Sequence, residues 1–217
     1  HENPRISEDD IAEAKKTMSE AEFNQEYLAD FNTYEGQVWG FDLAKCQQDL
    51  SEIETQKMDI FAGMDVGFKD PTAFCVIGYD WDQEQYYLLD EYLNSERTTE
   101  EHAVKIREKI DRWDIDYIFI DSAAQQTRFD LAQNYDISTI NAKKSLLDGI
   151  GHVAGIIDND NLIVDQRCKE TLITLDQYQW DPNPNLLKEK PKHNHASHMA
   201  DAIRYALYSF ETSATTF

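Results

Sequence analysis

The order of the elements predicted from the sequence indicates an α/β protein built on a mixed β-sheet flanked by helices on both faces. Three short apolar runs, over residues 58–67, 72–80 and 85–93, are separated by the turn signals "KDP" and "DWDQ". A helix, a strand, a second helix and a second strand follow, and further helices complete the chain. Three adjacent strands followed by alternating helices and strands are typical of such a sheet.

Residues 1–57 differ from the rest of the chain, and we predict that they form a helical N-terminal arm or linker. The segment "SEDDIAEAKKTMSEAEFNQEYLADF" is rich in Glu, Ala and Lys. Ser7 followed by Asp10 resembles a capping box, which starts a helix, and a loop through Gly36 and Gly40 comes next. Residues 58–217 are predicted to form one domain.

The elements of this domain are predicted from residue type and periodicity. The first three runs are rich in β-branched and aromatic residues, which favour strands. Thr98 or Thr99 caps a helix whose apolar positions are Ala103, Ile106 and Ile110. The later elements are a strand at "DYIFIDSA", a helix at "QTRFDLAQNY", a strand at "ISTINA", a helix at "SLLDGIGHVAGIID", a short strand at "NLIVD", a helix at "RCKETLITLDQYQW", a proline-rich loop or hairpin at "DPNPNLLKEKPKHN" and a final helix over residues 196–210.

The composition restricts the partners of the chain. The formal net charge is −22, and the last third of the sequence is the least acidic. Broad, non-specific nucleic-acid binding needs a basic surface, so the acidity argues against it, although a small metal-dependent site with a basic rim remains compatible. No apolar run is long enough to span a bilayer, so we expect no membrane partner. Cys46, Cys75 and Cys168 lie too far apart for a zinc motif or a disulfide framework.

Two of the predicted strands end in an aspartate. Asp65 closes the first strand in "FAGMDVG", and Asp121 closes the strand in "YIFIDSA". If these strands are neighbours, both carboxylates emerge at one edge of the sheet, where two like charges require a cation or a proton between them. Carboxylate oxygens favour Mg²⁺ or Mn²⁺. Asp70 is a further candidate ligand, although Asp-Pro is also an ordinary turn signal.

The final helix adds a third acid. Its apolar residues recur at helical spacing, at Met199, Ala202, Ile203, Ala206 and Phe210. His198 and Asp201 lie about one turn apart on the same side of the helix and off that stripe. Three acids from three elements, with a histidine nearby, would hold two divalent ions about 3.5–4 Å apart, an arrangement that can hydrolyse a phosphodiester.

Each of these residues also has an ordinary explanation. Asp65 and Asp121 suit strand-to-turn positions, and Asp201 suits a solvated helix face. The histidines that precede the final helix suit a loop. The co-occurrence of two strands that end in an acid and a helix that starts with H-x-x-D favours the metal site over these separate explanations.

Three segments resemble the motifs of a known family. "DIFAGMDVGFKDPTAF", "YIFIDSAA" and "HASHMADAIRYAL" are similar to the three acidic motifs of the nuclease domain in the large terminase subunit of tailed bacteriophages. "SEAEFNQEYLADFNTYEGQVW" resembles the segment that ends the ATPase domain of that family. The resemblance implies a ribonuclease H-like fold, whose order of elements our prediction shares. It also implies a metal-dependent endonuclease that cuts concatemeric viral DNA during packaging.

The resemblance further implies residues and partners. Asp65, Asp121 and Asp201 would be the catalytic acids that bind two Mg²⁺ or Mn²⁺ ions, with His198 as an adjacent ligand. The implied partners are double-stranded DNA, the terminase small subunit and the portal, in the cytoplasm of the host cell. No G-x-x-x-x-G-K-[ST] phosphate-binding loop occurs in the chain, so we predict that this nuclease half has no ATPase activity.

One locally basic stretch is predicted to contact DNA phosphates. It precedes the final helix and contains Lys188, Lys190, Lys192, His193 and His195. In the resembling family a regulatory β-hairpin lies near the site, and "QWDPNPNLLKEKPKH" stands at the corresponding place. The lysines would alternatively serve only to solvate a loop. A second candidate DNA surface consists of Arg128, Lys143 and Lys144.

Two other functions fit parts of the sequence. "MDVGFKDPTAF" resembles the first strand of actin-like ATPases and sugar kinases, but those proteins use two such domains with glycine-rich adenosine-binding turns, and this chain contains only 8 Gly. The other alternative is a non-catalytic docking module of a packaging motor, in which the acids only confer solubility.

Overall fold

The structure is a computed structural model that describes residues 36–40, 42–183 and 190–214, without the side chains of 211–214. The helices predicted before residue 36, and Lys188 of the basic stretch, lie outside the described residues. Within the described residues, no helix combines the length and the apolar character that a membrane crossing requires.

From β2 onward the described chain has its helices and strands in the order that the sequence predicts, whereas α1 and β1 were not predicted. The elements are α1 (Leu43–Cys46), β1 (Gln47–Gln48), β2 (Met58–Asp65), β3 (Thr72–Asp80), β4 (Gln85–Asn94), α2 (Thr99–Trp113), β5 (Tyr117–Ile120), α3 (Gln125–Tyr135), β6 (Ile140–Asn141), α4 (Leu146–Asp158), β7 (Leu162–Asp165), α5 (Lys169–Gln177) and α6 (His195–Ala214).

These strands form one mixed sheet in the order β1-β7-β4-β3-β2-β5-β6. The central strands β2, β3 and β4 pair antiparallel, as expected for strands joined by short turns. On one side β5 joins β2 and β6 joins β5, and on the other β7 joins β4 and β1 joins β7, all in parallel. The predicted mixed sheet is therefore confirmed.

Each face of the sheet is covered by helices. Phe61 of β2 is fully buried in the core that includes Val153 of α4, Leu172 of α5 and Ile203 of α6. Its neighbour Ile60 points to the opposite core, which α2 and α3 complete. Successive strand residues face opposite sides, so a strand that is apolar throughout serves two cores at once.

The segment before β1 packs against the sheet instead of forming an open loop. Trp39 is completely buried, and its Nε1 donates a hydrogen bond to the carbonyl of Ile150 at 3.2 Å. Gln37 forms an antiparallel bridge with Gln179. The sequence interpretation placed a loop through Gly36 and Gly40. The buried side chain of Trp39 supplies enough apolar area to hold this segment on the domain. The boundary at residues 57 and 58 stays a prediction.

Two elements differ in extent from the prediction. Strand β6 has only two residues, Ile140 and Asn141, where "ISTINA" suggested six. The proline-rich segment pairs at its base, because Asp181 donates to the carbonyl of Lys190 at 2.9 Å and Trp180 bridges Pro191 in antiparallel fashion. The two arms of a hairpin are therefore present, and residues 184–189 between them lie outside the described chain.

Helix α6 lies directly against β2. A Cβ atom placed on Gly63 would come within 1.9 Å of the carbonyl oxygen of Ala202 and 2.9 Å of the Cβ of Ala206. Only glycine permits this close approach of a helix to a strand backbone. The approach sets the first turns of α6 over the end of β2.

Candidate metal centre

Asp65 and Asp121 lie side by side at one edge of the sheet. Strands β2 and β5 are parallel neighbours, with Met64 paired to Ile120. Asp65 is the last residue of β2, and Asp121 follows β5 directly. The condition set in the sequence analysis, that the two strands followed or ended by an acid are neighbours, is thus met, and both carboxylates are partly buried, with 16% and 23% of the side chain exposed.

Helix α6 carries the third acid to the same region. Asp201 precedes Ala202, the residue whose carbonyl lies against Gly63 of β2. Burial raises the pKa of the Asp201 carboxyl, Arg204 opposes that rise, and the negative charge of Asp65 adds to it. The charge of Asp65 thus disfavours ionisation of Asp201, and a bound cation would relieve this effect.

Each of the three acids has a cationic or ionisable partner. Asp65 Oδ2 lies 3.2 Å from Nδ1 of His198, Asp121 Oδ1 lies 2.5 Å from Nζ of Lys144, and Asp201 Oδ1 accepts a hydrogen bond of 2.7 Å from Arg204. One basic group therefore faces each carboxylate. The three carboxylates therefore stabilise positive charge at this end of the sheet.

The pKa of the Asp121 carboxyl reflects this environment. Partial burial opposes ionisation, but a hydrogen bond from the backbone N–H of Ala123 and the ammonium of Lys144 outweigh it, so the pKa lies below its ordinary value. Asp121 is accordingly ionised at neutral pH and available as an oxygen ligand.

His198 is buried beside Asp65. Its side chain is 8% exposed, and the hydrogen bond to Asp65 raises the pKa of its imidazole above the ordinary value, against the effect of burial. This contact places His198 next to Asp65, and its role as a metal ligand stays a prediction.

The turn after β2 presents Asp70 to the start of α6. Thr72 Oγ1 accepts from the N–H of Gly67 at 3.2 Å and donates to its carbonyl at 2.9 Å, which closes the turn. Asp70, His193 and His198 each offer a ligand atom, and these atoms lie within 4.8 Å of one another. Among the described residues, this is the group found at that spacing, and Asp65, Asp121 and Asp201 do not form one as tight.

Sequence reasoning missed two residues of this centre. Arg204 is 4% exposed and pairs with Asp201, and Lys144 reaches Asp121 from the loop between β6 and α4. His198, Asp201 and Arg204 are each three residues apart, a spacing that predicts side chains on the same face of a helix. Lys144 carries no such local signal, because only the fold brings it to Asp121.

The predicted DNA-contacting residues that the structure describes differ in their surroundings, and several of them contact other parts of the protein. Lys190 is exposed, and Lys192 Nζ donates to Gln179 Oε1 at 3.2 Å. His195 Nε2 lies 3.0 Å from Glu170 Oε2. In the second candidate surface, Arg128 bonds Thr139 and Asn141, and the backbone N–H of Lys143 donates to Ser209 at 2.9 Å.

The fold and the acidic edge define a ribonuclease H-like domain, and the comparisons assign it to a family. The chain belongs to the family described as "Terminase RNaseH-like domain", which matches residues 62–210. The resemblance noted in the sequence is therefore confirmed.

Individual relatives agree with this assignment. The terminase large subunit of Escherichia phage T5 is 41% identical over 217 residues, which cover 96% of this chain and 50% of the relative. The large terminase of a thermophilic bacteriophage matches with a TM-score of 0.77 and 22% identity, over 94% of this chain and 51% of that one. The nuclease domain of the bacteriophage SPP1 large terminase, solved with bound Mn, matches with a TM-score of 0.59 and 21% identity over 77% and 96%. The chain thus spans about half the length of the first two of these proteins.

Proposed function

We propose that this chain is a divalent-metal-dependent endodeoxyribonuclease that cuts concatemeric viral DNA during genome packaging. The observation that carries the proposal is the parallel pairing of β2 with β5, which sets Asp65, the last residue of β2, beside Asp121, the residue after β5. Helix α6 carries the third acid, Asp201, and the charge of Asp65 helps to raise the pKa of its carboxyl. An all-oxygen donor set of this kind suits Mg²⁺ or Mn²⁺.

The three carboxylates would hold two divalent ions, which supply an activated water and stabilise the leaving oxygen of a phosphodiester. Asp65 ends the strand beside Asp121, and its charge helps to raise the pKa of Asp201, so it would share in holding the ions with both of the other acids. His198 holds Asp65 through Nδ1 and so belongs to the same site. Lys144 helps to lower the pKa of the Asp121 carboxyl and Arg204 opposes the rise that burial causes at Asp201, and both bases lie where they would attract the phosphate of the substrate.

The family supports a role in packaging. The terminase large subunit of phage T5 matches 96% of this chain, and the SPP1 nuclease domain was solved with bound Mn. We therefore infer double-stranded DNA as the substrate, the small subunit and the portal as partners, and the cytoplasm of the host cell as the place of action. Lys188, Lys190 and Lys192, with His193 and His195, form the inferred DNA rim beside the site.

Cleavage of a supercoiled plasmid tests the proposal. The chain should nick and linearise the plasmid with Mn²⁺ or Mg²⁺, and chelator should stop the reaction. Asp65→Ala, Asp121→Ala and Asp201→Ala should each abolish cleavage, because a two-ion site that lacks one carboxylate loses both charge and geometry.

A matched control is Glu100→Ala, which removes an exposed acid from the first turn of α2 on the opposite face of the sheet. This variant should cut like the wild type. Cleavage that persists in chelator, or an Asp201→Ala variant with full activity, would contradict the two-ion assignment.

A further inference from the structure

An exposed aromatic ring stands in the turn that follows Asp65. Phe68 has 66% of its surface exposed, and among the described residues no large apolar side chain is more exposed. The residue belongs to neither of the two hydrophobic cores, on either face of the sheet. The ring therefore adds little to the packing of the domain and is available to a ligand.

The backbone that carries this ring is fixed by hydrogen bonds on both sides. The carbonyl of Phe68 accepts a hydrogen bond of 2.8 Å from the backbone N–H of Glu96. The hydroxyl of Thr72, a fully buried residue, holds the N–H and the carbonyl of Gly67. A Cβ atom on Gly67 would come within 2.3 Å of the carbonyl oxygen of Asp70, so only glycine permits so tight a turn. A ring on such a backbone loses little freedom when it binds, which favours contact with a ligand.

The turn keeps the ring close to the candidate centre. Phe68 follows Asp65 by three residues, and a chain spans at most about 3.6 Å per residue, so their Cα atoms lie within about 11 Å of each other. B-DNA rises about 3.4 Å per base pair, so this distance corresponds to about three base pairs. If the scissile phosphate of a duplex lies at Asp65, the nearest bases are within reach of Phe68. Lys69, the next residue, is exposed and suits a neighbouring phosphate.

We propose that Phe68 contacts the bases of the DNA substrate beside the scissile phosphate as an apolar wedge, and that Lys69 holds a neighbouring phosphate. The inference rests on the proposed nuclease function, and it adds a contact to bases where the basic residues supply contacts to phosphates. An apolar side chain that inserts at a base step partly unstacks that step. The cost is lowest where the step is flexible or mispaired. Phe68 would therefore direct the enzyme to deformable steps without reading a sequence through hydrogen bonds.

Fluorescence anisotropy with a labelled duplex, in Ca²⁺ to prevent cleavage, tests the proposal. Phe68→Ala should weaken binding by about fivefold or more, because the contact of one base with an aromatic ring typically contributes at least that factor. The slope of log K against log salt should stay unchanged, since phenylalanine carries no charge. Lys69→Gln should instead reduce that slope by about 0.9. Phe68→Trp, which keeps an aromatic ring, should retain the wild-type affinity.

A duplex with a central mismatch gives a second readout, which a purely structural role of Phe68 would not change. The wild type should bind it more tightly than the matched duplex, because insertion at a mispaired step disrupts less stacking. Phe68→Ala should bind the two duplexes equally. The matched control is Tyr117→Ala, which removes another exposed aromatic ring at the start of β5, away from Asp121. This variant should distinguish the duplexes as the wild type does.

The outcomes separate this inference from the proposed function. Wild-type affinity in Phe68→Ala would overturn the inference and leave the nuclease assignment intact, and the ring would then be a surface for a protein partner. A changed salt slope in Phe68→Ala would also overturn it, because the loss would then come from displaced charges. If the wild-type chain bound neither duplex, the nuclease proposal would fail together with the inference.

Discussion

At the scale of single residues, Asp165 is an acid outside the candidate centre whose hydrogen bonds stabilise the fold. Its carboxylate is completely buried at the end of β7. It accepts hydrogen bonds from the Arg167 side chain at 2.5 and 2.8 Å and from the backbone N–H of Leu50 at 3.2 Å. The residue therefore fastens the segment after β1 to the edge of the sheet.

Replacement of Asp165 by Asn should lower the free energy of unfolding at pH 7 by about 1–3 kcal/mol, the usual cost of leaving buried hydrogen-bonding groups without their charged partner. Burial alone would raise the pKa of the Asp165 carboxyl, but the bonds from Arg167 and Leu50 outweigh it and lower the pKa. A lowered pKa in the folded state means that this contribution is present above about pH 3.9 and is lost as the pH falls through the folded-state value.

Urea unfolding of both proteins from pH 7 to pH 3 measures this prediction. The difference between wild type and Asp165→Asn should be full at pH 7 and shrink below about pH 4. Asp176→Asn, which changes an exposed acid on α5, should show almost no difference at either pH. A constant difference across the range would rule out the carboxylate as its source.

The residues of the candidate centre were predictable to different degrees. Asp65, Asp121 and Asp201 could be found because each follows a recognisable apolar pattern. The contact of Asp70 with His193 could not, since it joins a turn to a loop over more than a hundred residues of chain. The sequence identified Lys144 only as a basic residue. Its contact with Asp121 depends on the position of the loop that connects β6 to α4.

At the scale of elements, the contact between β2 and α6 controls the geometry of the centre. Gly63→Ala would put a methyl group into the carbonyl of Ala202, so helix and strand must separate. Overpacking of this kind costs about 1–3 kcal/mol. We expect the variant to be less stable by that amount and to lose most cleavage activity, because Asp201 moves with the helix.

Gly155→Ala is the matched control, and it makes a prediction of its own. Gly155 lies within α4, and a Cβ atom added there meets no atom within 4 Å. Since alanine favours helices over glycine, the variant should gain about 0.5–1 kcal/mol in a thermal or urea unfolding experiment. Normal cleavage by Gly155→Ala together with normal cleavage by Gly63→Ala would show that the close contact does not position the site.

Most elements could be predicted because their apolar periodicity is strong over five or more residues. The elements α1 and β1 were not predicted, and β6 was predicted but is shorter than expected; β1 and β6 have two residues each and carry no periodic signal of their own. Both lie at the ends of the sheet, where pairing with β7 and β5 decides their extent. Tertiary pairing, and not local propensity, defines strands of this length.

At the scale of the whole molecule, a chain of net charge −22 must bind a polyanion locally if the proposed function holds. Lys190 and Lys192 stand on the arm that runs into α6 by way of His193, which faces Asp70. Positive charge is thus placed next to the acids, while the acidic surface elsewhere repels DNA that approaches in other orientations.

Replacement of Lys188, Lys190 and Lys192 together by Gln should weaken DNA binding and reduce its dependence on salt. Three lost phosphate contacts correspond to a slope of log K against log salt that is smaller by roughly 2.7 for duplex DNA. Fluorescence anisotropy at several salt concentrations, with Ca²⁺ to prevent cleavage, would measure this change.

The matched control replaces Lys45, Lys57 and Lys105, which pair with acids on other surfaces, by Gln. It changes the net charge by the same amount, so a general electrostatic effect would appear in both triple variants. An equal change of slope in the two proteins would assign the effect to overall charge and exclude the rim.

Each acid at this end of the sheet contacts a basic side chain, so a metal ion that binds there would take the place of a protein group. His198, Lys144 and Arg204 already contact Asp65, Asp121 and Asp201, so protein groups occupy part of the oxygen set that an ion would use. A divalent ion that takes one of these contacted oxygens must release the group that holds it, and the cost of that release lowers the affinity for the ion. The domain can therefore fold before it meets an ion, unlike sites in which metal binding supplies the folding energy. The displaced ammonium and guanidinium groups are then left without their carboxylates at the place where the phosphates of a substrate would arrive.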